Sequence, residues 1–286
     1  MKKRNIIHIS DLSDERIKKY IKYNENQLTH IYEPDLGVFI AESAKVIKRA
    51  LDAGYQPESF LIEEGYLDES SDSVAVREVS EIIELSPEVP IFTASKEVLS
   101  NIRGFAVTRG VLSVLRRKEN TKVEDIIASQ RRIVILESVV NPTNIGSIFR
   151  SAAALGMESI VLTRDCCDPL YRRSARVSMG TVFQIPWTYY DEKNNNYEHY
   201  IDQLHDLGYK VVAMALNDQS KDITDPIFEK QDKLAVIMGS EGNGLSEATI
   251  KKCDFVIKIP MYHDVDSLNV AAASAVAFWE LRVKNK

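Results

Sequence analysis

The sequence predicts an α/β protein of two domains, the second built on a mostly parallel sheet. Three observations carry that prediction. Short apolar runs alternate with stretches of helical periodicity along the chain. The runs of the second half are nearly continuous in Val, Ile and Leu, as strands covered on both faces must be. A polar stretch, RKENTKVEDIIASQ at 117–130, separates the two alternations and marks a domain boundary.

In chain order, residues 12–23 read as a helix, 36–41 (LGVFIA) as a strand, 43–53 as a helix and 59–64 (SFLIEE) as a strand. A helix follows at 74–85, a strand at 89–94, a short helix to about 102 and a strand at 111–117. After the polar stretch come strands at 132–137, 159–163, 183–187 (FQIPW), 209–216, 234–239 and 255–260, most of them separated by helical patterns. The expected division is a first domain at 1–120, a linker at 121–129 and a second domain at 130–286. In an open parallel sheet the ligand lies beyond the carboxyl ends of strands, so the segments after strands are where chemistry is sought.

Composition excludes several classes. With 286 residues, 44% hydrophobic and 27% charged, the chain is long enough for two cores and is not disordered by default. No apolar run reaches the length of a membrane span, and the start MKKRNIIHISDLSDER turns to charge too soon for a signal peptide, so a cytoplasmic protein is expected. Cys166, Cys167 and Cys253 show no CxxC spacing, which argues against structural metal and disulfides. The net charge of −6 conceals an asymmetry: Glu58 to Glu88 holds ten acids against Arg77 alone, a local −9, leaving +3 on the rest. Basic residues cluster at Arg116-Arg117-Lys118, Arg131-Arg132 and Arg172-Arg173 with Arg176.

Three segments after strands stand out. In ESVVNPTNIGSIFRSAAALG (137–156) a strand yields to a loop and a helix, with Pro142 and Asn144 starting the turn and Arg150 inside the first turns; a helix start beside an Arg can hold a phosphate. In LAVIMGSEGNGLS (234–246) glycines at 239, 242 and 244 allow close backbone approach to a flat ligand, with Ser246 capping the next helix. Neither a dinucleotide fingerprint nor a phosphate loop matches it. In IPMYHDVDSLNVAAASAVAFWEL (259–281) small residues permit close helix packing, but Ser267 and Asn269 cannot both cap one helix.

Together, NPTNIGSIFRSAAALG, IMGSEGNGLS and IPMYHDVDSLNVAAASAVA resemble, in order, the three signature motifs of SpoU/TrmH-type RNA ribose 2′-O-methyltransferases of the SPOUT superfamily. RSARVSMG (173–180) is similar to the family's basic segment between the first and second motifs. The likeness covers about 130–286, while the first domain resembles the family's small RNA-binding extension, related to ribosomal proteins that bind bent RNA.

The resemblance implies a trefoil-knotted α/β methyltransferase domain, a homodimer, S-adenosylmethionine as cofactor, no metal, and ribosomal or transfer RNA as substrate. By position in the motifs it implies a catalytic set of Asn144, Arg150, Glu241, Ser267 and Asn269. Ala215, Leu216, Gly239, Ile259, Met261 and Leu268 would contact the cofactor, mainly through backbone groups. Arg109, Arg116, Arg173 and Arg176 are the expected RNA contacts. His263 lies outside the matched positions and reads as a loop histidine, and many relatives carry a Gly shortly after IPM where this chain has Tyr262-His263-Asp264. Two other readings share the scaffold: an RNA base methyltransferase, disfavoured by Arg150 with the SLN triplet, and a non-catalytic RNA-binding protein, which predicts the loss of a motif.

Overall fold

The computed structural model describes residues 4–68, 70–102, 110–190, 197–217, 220–240, 242, 244–263 and 265–284. The chain divides into two compact units: residues 1–119 with 170–183, and residues 120–169 with 184–286.

The first unit contains β1 (Ile6–His8), α1 (Lys18–Ile21), α2 (Glu25–Thr29), β2 (Val38–Glu42), α3 (Ala44–Asp52), β3 (Pro57–Glu63), α4 (Val74–Glu84), β4 (Ile91–Ala94), α5 (Lys96–Ser100) and β5 (Val111–Arg116). Its sheet has the order β1-β4-β3-β5-β2, with β4 parallel to β1 and β3, and β5 antiparallel to β3 and β2. α3 shows why the pattern was readable: Val46, Ile47 and Ala50 recur at helical spacing and all are buried. The helix expected at 12–23 breaks into a 3₁₀ turn at Glu15–Ile17 and the single turn of α1, because Asp14 caps a new start by accepting from the Arg16 amide.

The second unit opens with α6 (Val123–Ile127), inside the stretch expected as linker. Val123, Ile126 and Ile127 enter the unit's core, and Tyr209 Oη donates to the carbonyls of Ile127 and Gln130, each at 2.7 Å. The chain continues through β6 (Arg132–Leu136), α7 (Pro142–Ala154), β7 (Ser159–Leu162), α8 (Arg172–Val177, packed in the first unit), β8 (Trp187–Tyr189), α9 (Tyr197–Asp206) and β9 (Lys210–Met214). β10 (Lys221–Asp222), β11 (Leu234–Met238), α10 (Glu247–Lys252), β12 (Phe255–Lys258) and α11 (Val270–Leu281) complete it. All seven strands are parallel, in the order β10-β12-β9-β11-β6-β7-β8.

The strand expected at 183–187 is displaced. Thr181–Phe183 forms a 3₁₀ turn and β8 begins only at Trp187. Pro186 lacks an amide donor and serves the sheet only through its carbonyl, which accepts from Ile160 N at 3.0 Å. In the middle of the sheet Met238 is in register with both Leu136 and Met214, so neighbouring strands end together. The loops that follow β6, β9 and β11 therefore leave from one edge.

Candidate active site at the carboxyl edge of the parallel sheet

Three loops enclose a cavity of about 390 Å³. The segment after β9 contributes Ala215 and Leu216, the one after β11 contributes Gly239, Ser240, Gly242 and Gly244, and the one after β12 contributes Ile259, Met261, Asp266, Ser267 and Leu268. Met214, Met238 and Ile257 line it from the strand ends. All six residues expected to touch a cofactor are in this lining.

The loop after β11 is closed by backbone contact. The Gly244 amide donates to the Ser240 carbonyl at 3.1 Å, and Gly244 has φ +65°. A Cβ on Gly239 would lie 2.4 Å from the Gly244 carbonyl carbon, so only glycine fits. A side chain that the sequence reading missed anchors the loop's far end. The buried carboxylate of Glu137, just after β6, accepts from the Ser246 amide at 2.8 Å and from Thr249 Oγ1 at 2.6 Å. Ser246 in turn caps α10 by accepting from Thr249 N at 3.0 Å. Glu137→Ala is expected to strand both donors and lower stability by about 1–3 kcal/mol, to be read as a fall in unfolding temperature or denaturant midpoint.

α7 and α11 pack against each other, and their starts are tied together. Asn141, not Asn144, caps α7 by accepting from the Thr143 amide at 2.8 Å, with Pro142 at the first helical position. Asn144 is thereby freed and lies buried inside the helix. Asn269 caps α11 with Oδ1, which accepts from Ala271 N at 2.9 Å, while its Nδ2 donates to Asn144 Oδ1 at 3.2 Å. This explains the two polar residues at the head of that helix: Asn269 caps and bridges, and Ser267 lines the cavity.

Of the other expected residues, Arg150 is exposed on α7, and Glu241 and Arg109 lie outside the described residues. Arg116 pairs with Glu58 at 3.0 Å and stacks 5.3 Å from the Tyr32 ring. Arg176 pairs with the buried Glu42, whereas Arg173 is exposed. His263 is exposed in a left-handed turn with φ +59°.

The cysteines are free thiols. Burial pushes the Cys166 thiol up, and burial with the nearby Asp254 and Glu137 carboxylates pushes Cys253 up to about 12, so neither is a ready thiolate near neutral pH. Among the described residues, His, Cys, Asp and Glu form no group of three or more that could hold a metal ion, and no helix is long and apolar enough to cross a membrane.

Comparison with known proteins bears on this geometry. Residues 131–279 match the model of the SpoU rRNA Methylase family. An uncharacterized tRNA/rRNA methyltransferase of Mycobacterium bovis is 32% identical over 86% of this chain and 83% of its own length. The 23S rRNA (guanosine(2553)-2′-O)-methyltransferase RlmP of Bacillus subtilis is 31% identical over 56% of this chain and 61% of its own. Among solved structures, an AdoMet-bound rRNA methyltransferase from Sinorhizobium meliloti superposes with a TM-score of 0.78 at 24% identity, covering 97% of each chain. That likeness establishes the fold, the α/β arrangement with mostly parallel sheets for which the trefoil knot was expected.

Proposed function

The chain belongs to the SpoU rRNA methylase family, and on that premise we propose that it transfers a methyl group from S-adenosylmethionine to a ribose 2′-hydroxyl of ribosomal or transfer RNA. The observation that carries this reading is the cavity at three adjacent strand ends, walled by the glycine loop that Gly239 closes and lined by Leu268 and Val270, the chain neighbours of Asn269, which is bonded to Asn144. Both the methyltransferase reading and the choice of ribose draw support from relatives, since RlmP is a 2′-O-methyltransferase and the Sinorhizobium meliloti structure holds AdoMet.

The cavity fits that cofactor. Its volume lies in the range of small-molecule sites, its walls mix apolar side chains with backbone, and glycines admit close approach of a flat ring. When bound, S-adenosylmethionine supplies an electrophilic methyl carbon on a sulfonium centre. Met261, Asp266 and Leu268 belong to the cavity lining. Arg150 anchors a phosphate and holds the 2′-oxygen in line for attack. A guanidinium is a cation and a poor base, so it stabilises the charge that develops on that oxygen, while the hydroxyl proton passes to solvent water and S-adenosylhomocysteine departs as the leaving group. Asn144 and Asn269, bonded to each other, fix the heads of α7 and α11 on either side of the acceptor. Ser267 and Glu241 complete the positioning set.

Residues 1–120 serve as the RNA-binding part, to which 170–183 also belong, and the rest of 130–286, with α6 before it, serves as the methyltransferase part. The enzyme works in the cytoplasm, which agrees with its free thiols. It acts as a homodimer. Support for a second copy comes from α11, which leaves Trp279 56% and Val276 40% exposed, with the Arg282 guanidinium 3.5 Å from the Trp279 ring centre. Trp279→Glu is expected to convert a dimer to a monomer in sedimentation velocity; an unchanged dimer would remove this helix from the interface.

The functional test is nucleoside mass spectrometry of ribosomal and transfer RNA from cells with and without the gene. Loss of one 2′-O-methyl nucleoside is expected; loss of a base-methylated nucleoside would favour the alternative acceptor.

A further inference from the structure

Residues 170–183 run between β7 and β8 of the second sheet, yet they pack as part of the first unit. Several independent contacts hold them there. Glu42, the last residue of β2 and only 2% exposed, accepts from Arg172 Nε at 3.0 Å and from Arg176 Nη1 at 3.3 Å. The Arg172 amide donates to Glu25 Oε1 at 2.9 Å, and Arg49 Nη1 donates to the Met179 carbonyl at 2.6 Å. Phe183 packs on Phe39 and Tyr55 with ring centres 5.8 and 5.3 Å apart. Gly180, at φ +82°, brings its Cα so close to Arg49 that a Cβ would lie 3.1 Å from Arg49 Cδ.

A buried carboxylate between guanidiniums contributes little net stability, because desolvation offsets the attraction. What it does fix is orientation, since each guanidinium donates along set directions. Arg172 and Arg176 are one helical turn apart on α8 and turn the same face to Glu42. Arg173, a step round the helix, is left exposed. We infer that Glu42 is a positioning residue for RNA: by engaging Arg172 and Arg176 it sets α8 so that Arg173 meets a backbone phosphate. Arg176 then serves the clamp and not the phosphate. The inference rests on the reading of this chain as an RNA methyltransferase.

The test uses the full chain, labelled purified ribosomal RNA and filter binding over a series of KCl concentrations, with S-adenosylmethionine binding followed by calorimetry on the same preparations. Glu42→Gln removes a negative charge, so bulk electrostatics alone would tighten RNA binding. The inference expects the opposite: a dissociation constant raised by about tenfold and a log–log salt slope reduced by about one, the signature of one lost phosphate contact. Arg173→Ala should show the same loss, and the double variant should be no weaker than either single one. Glu42→Asp keeps the charge and shortens its reach, so it should bind with intermediate affinity even if the Gln variant folds poorly. Folded Glu42→Gln or Glu42→Asp binding as tightly as the unaltered chain with the same slope would overturn the inference, as would additive effects of Glu42→Gln and Arg173→Ala. Failure of the unaltered chain to bind S-adenosylmethionine would refute the methyltransferase reading whatever the RNA data show, so the two failures are distinguishable.

Discussion

Arg150→Ala is expected to slow single-turnover methylation by about two to three orders of magnitude while leaving S-adenosylmethionine affinity unchanged. The residue is exposed on α7 and absent from the cavity lining, so its removal takes nothing from the cofactor's surroundings. What it removes is the cation that orients the 2′-oxygen and meets its developing charge. Arg150→Lys should not restore the rate, because an ammonium keeps the charge but loses the planar fork that can hold a phosphate and the 2′-oxygen together. Single-turnover kinetics at saturating cofactor separates the acceptor step from cofactor binding. Near-normal turnover of the Lys variant would replace bidentate positioning with simple electrostatics.

Gly239→Ala should act on the other substrate. The added Cβ would meet backbone atoms of Gly244 and Leu245 at 2.4–2.7 Å, and backbone can yield only by opening the loop after β11. Overpacking of this kind costs about 1–3 kcal/mol, which corresponds to about fivefold to 150-fold weaker S-adenosylmethionine binding if the whole cost falls on the cavity wall. Gly65→Ala is the control. It lies in the first unit and outside the cavity lining, and its added Cβ would meet nothing closer than 3.9 Å, so calorimetry should find S-adenosylmethionine binding close to that of the unaltered protein. Equal losses for both variants would mean that the close approach at Gly239 is not the cause.

The parallel sheet was legible because its strands are buried on both faces and therefore read as unbroken apolar runs. β6 and β11 are buried along their whole length. α6 was hidden for the opposite reason. Lys122, Glu124 and Asp125 surround Val123, Ile126 and Ile127, and charge was read as linker although the three apolar residues sit at helical spacing. NPTN offers two asparagines as the cap of α7, and only the backbone decides that Asn141 caps and Asn144 turns inward. The Asn144–Asn269 bond, the Glu137 clamp and the pairing of Glu42 with Arg172 each join residues more than a hundred positions apart. Local pattern carries no trace of such pairings. The motifs bring the cavity-lining residues to one edge of the sheet, but the contacts that hold the loops there exist only in the folded chain.

Transfer of a methyl group to a ribose oxygen leaves a mark that alkaline hydrolysis reveals. Ribosomal and transfer RNA lacking the modification are incubated with the purified protein and S-adenosylmethionine labelled in its methyl group, then digested with alkali. A 2′-O-methyl group blocks attack of that oxygen on the neighbouring phosphate, so the label is expected in a single alkali-resistant dinucleotide. Label recovered instead in ordinary mononucleotides, on a base, would contradict it.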